Sequence, residues 1–190
     1  MLKAYHDLAT EAGCDEAGRG CLAGPVYGAA VMLENGFDWS FLRDSKQMKP
    51  AEREDAAFCI EKQARVWAVC SEPPEQIDRV NILQASIMAI HRALAALSVR
   101  PQQILMDGHY FRAFEDIPHV CLVKGDTHYL AIAAASILAK VHRDRYMVQR
   151  HAQYPIYGWD RNKGYPTAAH KAALKAYGPS TLHRRSFKWH

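Results

Sequence analysis

Glu11-Ala12-Gly13-Cys14-Asp15-Glu16-Ala17-Gly18-Arg19-Gly20 opens as a short strand, about Glu11 to Ala17, and breaks into a glycine-arginine-glycine loop. Carboxylates gather hard cations, whereas bare backbone and guanidinium gather phosphate. A strand end that offers both points to metal-assisted chemistry on a phosphodiester, and it asks the rest of the chain for further acids. Just beyond the loop, Gly24-Pro25 marks a second fixed turn. Val26-Tyr27-Gly28-Ala29-Ala30-Val31-Met32-Leu33 then reads as a buried strand ended by Glu34-Asn35-Gly36, and so short a connection makes the two strands antiparallel.

Further along, Pro50 opens a helix with Ala56, Ile60 and Ala64 at helical spacing, and Val66 to Cys70 reads as another strand. Pro73 and Pro74 interrupt the chain, after which Asn81 is placed to cap a long helix carrying Ile82, Ala85, Ala89, Ala93 and Leu97. Two apolar strands follow, Ile104 to Met106 ending at Asp107-Gly108, and His119 to Lys124 ending at Gly125-Asp126. From Thr127 to about Arg150 an alanine-rich run predicts one long helix whose small residues pack closely on a sheet. Strands first, then strands alternating with helices, make one mixed α/β sheet covered by helices. With no internal repeat and no linker, residues 1–190 are expected to be a single domain with a basic, helical C-terminal part.

Functional residues of open α/β sheets gather beyond strand ends, where Asp107 and Asp126 fall. Asp15, Glu16, Asp107 and Asp126 are the residue types a catalytic Mg²⁺ or Mn²⁺ site needs, with ligand positions left for substrate. Each also has a plainer reading. Asp107 before Gly108 makes a common turn, and Asp126 before Thr127 can cap the long helix. Asp15 and Glu16, as neighbours in a strand, point to opposite faces unless the chain leaves regular geometry, which Gly18 and Gly20 permit. Arg19 reads as a phosphate contact or a surface cation, and Lys46, within Asp44-Ser45-Lys46, as a phosphate clamp or a solvated side chain. Tyr165, between Gly164 and Pro166, reads as a residue that stacks on a sugar or base, or as a packing residue. No histidine is given a catalytic role.

Composition narrows the classes. The chain has 190 residues with 49% hydrophobic and 23% charged, which excludes disordered and fibrous proteins. No apolar run reaches the roughly 18 residues of a membrane span, and Met1 to Asp7 lacks the apolar core of a signal peptide, so no membrane contact is expected and the cytoplasm is the expected compartment. Five cysteines, odd in number and scattered, form neither a disulfide framework nor a C-x-x-C zinc site. From Arg161 onward there are seven Lys or Arg and no Asp or Glu, so a net charge of +4 conceals a basic end. With Tyr165, Tyr177, Phe187 and Trp189 interleaved, that end suits a nucleic-acid backbone; the plainer reading is a solvated helix and tail.

The ordered set Asp15-Glu16-Ala17-Gly18-Arg19-Gly20 with Gly24-Pro25, Asp44-Ser45-Lys46, Met106-Asp107-Gly108 and Lys124-Gly125-Asp126 resembles the type 2 ribonuclease H family of bacteria. The resemblance continues through Ala133 to Asp144, Lys163-Gly164-Tyr165-Pro166-Thr167 and His183-Arg184-Arg185-Ser186-Phe187, nearly the whole chain. It implies an RNase H-like mixed five-stranded sheet flanked by helices. It also implies endonucleolytic hydrolysis of RNA in RNA·DNA hybrids and at ribonucleotides embedded in duplex DNA, leaving 5′-phosphate and 3′-hydroxyl ends. By the same resemblance Asp15, Glu16, Asp107 and Asp126 bind the metal, Gly18, Arg19 and Gly20 read the ribose 2′-hydroxyl, and Tyr165 packs on the adjoining deoxyribose. Asp144, within the matched helix, is taken as structural or as a support behind the metal-binding acids. The chain stops soon after Phe187, so a longer C-terminal helical extension is not expected, and too little chain precedes Asp15 for an added N-terminal substrate-binding domain. A monomer is expected, and contact with a replication clamp is left open. The rival readings are a non-catalytic nucleic-acid-binding module and a metal-dependent phosphomonoesterase.

Overall fold

The computed structural model describes residues 2–3 and 10–189. Five strands form one sheet in the order β3-β2-β1-β4-β5, with β1 at Glu11–Ala17, β2 at Val26–Met32, β3 at Val66–Glu72, β4 at Gln103–Asp107 and β5 at His119–Leu122. The first three strands form an antiparallel meander, and β1, β4 and β5 run parallel. Three parallel strands therefore bring their carboxyl ends to one edge, the place where open α/β sheets carry their sites.

Strand alternation divides the core in two. Ala12, Cys14, Ala30 and Met32 face one side, against Ile87, Ile90 and Leu94 of α3 (Ile82–Ala95). Ala29 and Val31 face the other, against Ile137, Leu138 and Val141 of α4 (Leu130–His151) and Ile60 of α1 (Pro50–Gln63). Two glycines let the helices come this close. A Cβ on Gly13 would lie 2.1 Å from the Ala131 carbonyl carbon, and one on Gly28 would lie 2.6 Å from the Ile90 nitrogen, on opposite faces of the sheet.

The expected caps and boundaries mostly hold. Pro50 is the first residue of α1, and the Asn81 side chain accepts from the Gln84 N–H at the start of α3. Three differences stand out. Pro73 and Pro74 begin a short helix, α2 (Pro74–Val80), because proline is pre-set for a first helical turn. The fifth strand ends at Leu122, since Lys124 adopts a left-handed conformation (φ +58°). The long helix starts at Leu130 with Tyr129 as its N-cap, three residues later than predicted, because residues 125–127 form a separate 3₁₀ turn. Asp126 lies within that turn and does not cap the helix.

Beyond α4, a 3₁₀ turn at Pro155–Tyr157, α5 (Trp159–Asn162) and α6 (Ala168–Tyr177) enclose a smaller apolar cluster built on Tyr157, Trp159, Met147 and Leu174. Leu22 and Ala23, from the turn between β1 and β2, belong to it. The C-terminal part is thus packed onto the loop that follows Asp15 and Glu16. The five cysteines are free, buried or half-buried, as small apolar side chains. No helix among the described residues is long and apolar enough to cross a membrane.

Candidate active site

Asp15 and Asp107 occupy neighbouring parallel strands one residue past the Cys14–Met106 register pair, so both leave the sheet on the α4 side at its carboxyl edge. The left-handed Lys124 turns the chain back after β5 and delivers Asp126 to the same spot. One carboxylate oxygen from each of Asp15, Asp107 and Asp126 lies within 4.8 Å of the others. Side chains separated by more than 100 positions are thereby brought into one cluster.

The cluster is electrostatically unfavourable by itself. Burial, then the charges of Glu16 and Asp107, push the Asp15 carboxyl well above its ordinary value, against hydrogen bonds from Ser136 and from the Glu16 N–H at 2.7 Å. Asp107 is also raised, by burial and by Asp126, although the Gly125 N–H donates to it at 2.7 Å. Lys46 supplies one offsetting charge, its Nζ 3.2 Å from Asp126 Oδ2. Burial pulls the Lys46 ammonium down, but Asp126, Asp15 and Asp44 outweigh it and hold it above its ordinary value. Hard oxygen donors crowded at this distance suit a divalent cation, which would relieve their mutual repulsion.

Glu16 takes the other face, as strand alternation requires. Its carboxylate accepts from Arg19 Nη1 at 3.1 Å and lines a cleft of about 340 Å³ with Arg19, Ser86, Asp107, His109 and Tyr110. Burial raises its carboxyl and Arg19 opposes that rise. Asp107 belongs both to this cleft and to the three-acid cluster, so Glu16 borders the cluster without joining it.

The loop after β1 is held from within. Gly18 (φ +98°) lies so close to Arg143 that a Cβ there would be 2.1 Å from Nε. Arg143 and Arg184 are both fully buried. Arg143 donates to the carbonyls of Pro25, Ala23 and Lys163, and Arg184 to those of Gly24 and Arg19. Gly20, by contrast, is open: nothing lies within 4 Å of an added Cβ. Tyr165 stands nearby at 37% exposure, its ring facing Lys140 Nζ at 5.2 Å and the Arg143 guanidinium at 5.7 Å. Asp144 accepts from Lys140 at 2.7 Å.

Sequence reasoning passed over Ser136, Arg143 and Arg184 as individual residues. The signal was present: Ser136 interrupts a run, residues 130–139, otherwise of alanine, isoleucine and leucine, and Lys140 and Arg143 follow it at helical spacing. Arg184 is read from sequence as part of the basic end and of the stretch His183 to Phe187, with no role of its own, yet it faces inward, and burial together with Arg143 lowers its guanidinium to about 10.

The chain is similar to known proteins over nearly its whole length. The ribonuclease HII family model matches residues 12–190. A ribonuclease HII of Bacteroides thetaiotaomicron is 55% identical over 177 residues, covering 93% of this chain and 88% of that protein. Among solved structures, the ribonuclease HII of Archaeoglobus fulgidus, determined in complex with PCNA, is similar with a TM-score of 0.76 at 28% identity, covering 94% of this chain and 95% of that one. The ribonuclease HIII structure designated Bst, in complex with Mn²⁺, shares the fold with a TM-score of 0.76 at 21% identity, covering 94% of this chain and 67% of that one. A β1 acid pair running into a Gly-Arg-Gly loop, on a five-stranded sheet whose parallel edge gathers two further aspartates, thus belongs here to the ribonuclease HII family, endonucleases of the ribonuclease H class.

Proposed function

We propose that the chain hydrolyses the RNA strand of RNA·DNA hybrids and cuts at ribonucleotides embedded in duplex DNA, leaving 5′-phosphate and 3′-hydroxyl ends, with Mg²⁺ or Mn²⁺ as cofactor. The observation that carries this reading is the convergence of three carboxylate oxygens, from β1, β4 and the turn after β5, within 4.8 Å. A bound divalent cation supplies positive charge against the carboxylates and polarises the phosphodiester and its attacking water.

The chain's own residues divide the remaining work. Asp15, Asp107 and Asp126 hold the cation, and Glu16 acts from the adjoining cleft through its border with Asp107. Lys46, whose Nζ lies 3.2 Å from Asp126 Oδ2, pairs its ammonium with an incoming phosphate. The Gly18-Arg19-Gly20 loop reads the ribose 2′-hydroxyl, the group by which RNA differs locally from DNA. Its support is the pair of buried arginines that fix the loop's shape, since a rigid loop discriminates one hydroxyl better than a mobile one. Tyr165 packs on the neighbouring deoxyribose. A binding module that used its acids only for caps and turns has less support, because Asp126 caps no helix and Asp107 spends one oxygen on the Gly125 N–H beside two other carboxylates.

The reading is tested by mapping products on three labelled duplexes, all-DNA, with one ribonucleotide and with several, with and without Mg²⁺ or Mn²⁺. Metal-dependent cutting beside each ribonucleotide, with the all-DNA duplex intact, is expected. No product with either metal, or equal cutting of the all-DNA duplex, would overturn it.

A further inference from the structure

Behind Tyr165 lies a line of side chains whose protons have one consistent assignment. His170, in the first turn of α6, is fully buried and His183 is 2% exposed. His170 Nδ1 is 2.9 Å from the Tyr165 carbonyl oxygen. Its Nε2 is 3.2 Å from Trp159 Nε1 and 3.0 Å from His183 Nε2. His183 Nδ1 in turn is 3.0 Å from both the backbone nitrogen and the hydroxyl of Ser180.

The ends of the line fix its polarity. An indole N–H and a backbone N–H only donate, and a carbonyl only accepts. His170 Nε2 must therefore accept from Trp159, which puts the His170 proton on Nδ1, where it is donated to Tyr165. His183 Nδ1 must accept from Ser180, which puts its proton on Nε2, where it is donated to His170. With both rings neutral no donor faces a donor: His170 Nε2 is the acceptor shared by Trp159 and His183, and His183 Nδ1 the acceptor of the Ser180 N–H. A second proton on either ring would set N–H against N–H. The rings of Tyr157, Trp159 and Trp189 pack round the pair, and none of them is charged at neutral pH. Burial, with His170 adding to it, lowers His183 to about 4, and burial also lowers His170 against the pull of the Tyr165 carbonyl.

The line terminates on Tyr165, the residue proposed above to pack on the deoxyribose. The Tyr165 carbonyl accepts from His170 and from the Thr167 N–H at 2.8 Å. On its other side Gly164 (φ +86°) sits so near the turn after β1 that an added Cβ would be 2.5 Å from the Ala23 oxygen. The peptide of Tyr165 thus has two anchors, one on the turn that follows the Gly-Arg-Gly loop and one on the imidazole. We infer that His170, locked in its neutral Nδ1–H form by Trp159 and His183, is a positioning residue that sets the Tyr165 ring against the substrate sugar. The inference rests on the reading of Tyr165 as a substrate contact.

A double-mutant cycle on a duplex with one ribonucleotide separates the two. Tyr165→Ala is expected to lower kcat/KM, and His170→Phe to lower it by about tenfold in the parent chain but by less than about twofold in the Tyr165→Ala background. His170→Asn, whose amide can donate from the place of Nδ1, is expected to stay within about twofold of the parent. If Tyr165→Ala leaves the rate unchanged, the substrate-contact reading fails and takes the inference with it. If Tyr165→Ala is impaired while His170→Phe is harmless in the parent, or costs the same in both backgrounds, the positioning role alone is overturned. Independently of any variant, ¹⁵N NMR of the parent protein at pH 6.5 is expected to show His170 as the Nδ1–H and His183 as the Nε2–H tautomer. An imidazolium or the opposite tautomers would contradict the lock.

Discussion

The two halves of α4 border opposite solutions to buried charge. Beside Ser136, three carboxylates crowd at the sheet edge with Lys46 as a partly exposed counter-charge, and two of them are pushed above their ordinary values. One to two turns further on, Arg143 lies with Arg184 in full burial, and the two hold neutral backbone carbonyls of the turn between β1 and β2. A buried guanidinium that satisfies carbonyls fixes backbone shape. Carboxylates left to repel one another do not stabilise the fold, and their arrangement makes sense as a place prepared for a cation. Under the proposed function, charge at the first region is there to hold a cation, and at the second it is scaffolding for the loop between β1 and β2.

If that contrast is right, substitutions in the two regions should affect different quantities. Asp107→Asn should lower the cleavage rate by about a thousandfold or more, since it removes a ligand and the charge that holds the cation, while duplex binding stays within about twofold. Near-normal turnover would break the contrast at its functional end. Arg143→Met should cost at least about 3 kcal/mol in urea unfolding, because three carbonyls lose a charged donor in a buried place; a loss under about 1 kcal/mol would show that the guanidinium is not the scaffold. Arg19→Ala lies between the regions. Its side chain is 48% exposed and pairs with Glu16, whereas its carbonyl is held by Arg184. It should reduce the preference for a ribose over a deoxyribose by about tenfold with little change in stability. The smallest effect is expected at Lys171 and Lys175, which are exposed on α6. Each change to Ala should reduce the salt dependence of duplex binding by roughly one counterion and leave the melting point unchanged.

Much of this was legible in the sequence, for reasons that differ between elements. The strand at Glu11–Ala17 and its antiparallel partner carry alternation and turn residues that act locally, so their bounds and pairing follow from period and punctuation. Asn81 announced its helix because a cap is a local hydrogen bond. The convergence of Asp15, Asp107 and Asp126 could be expected from strand ends, and the opposition of Asp15 and Glu16 followed from the pleat. What was not legible depended on tertiary partners. Lys124 adopts a left-handed conformation that propensity does not foretell, and that turn decides where Asp126 points. Arg184 looked like part of a basic surface, because a count of charges carries no direction. Only the fold shows it seated under the Gly-Arg-Gly loop, while Arg185 beside it is exposed with its N–H bonded to Asp78 of α2.

Three carboxylates that repel one another at the sheet edge suit one divalent charge. Asp15 and Asp107 bind protons more tightly in the folded than in the unfolded chain. Their contribution to metal-free stability is therefore present at low pH and lost as pH rises from the ordinary carboxylate range through their raised values. A cation should restore stability most where that loss is complete. The direct measurement is the thermal midpoint with and without saturating Mn²⁺, at pH 7.5 and pH 5, for the parent chain and Asp126→Asn. A rise of about 5 °C or more at pH 7.5 that shrinks at pH 5 and is abolished in Asp126→Asn is the predicted result. Equal shifts in the two proteins, or none in the parent, would contradict it.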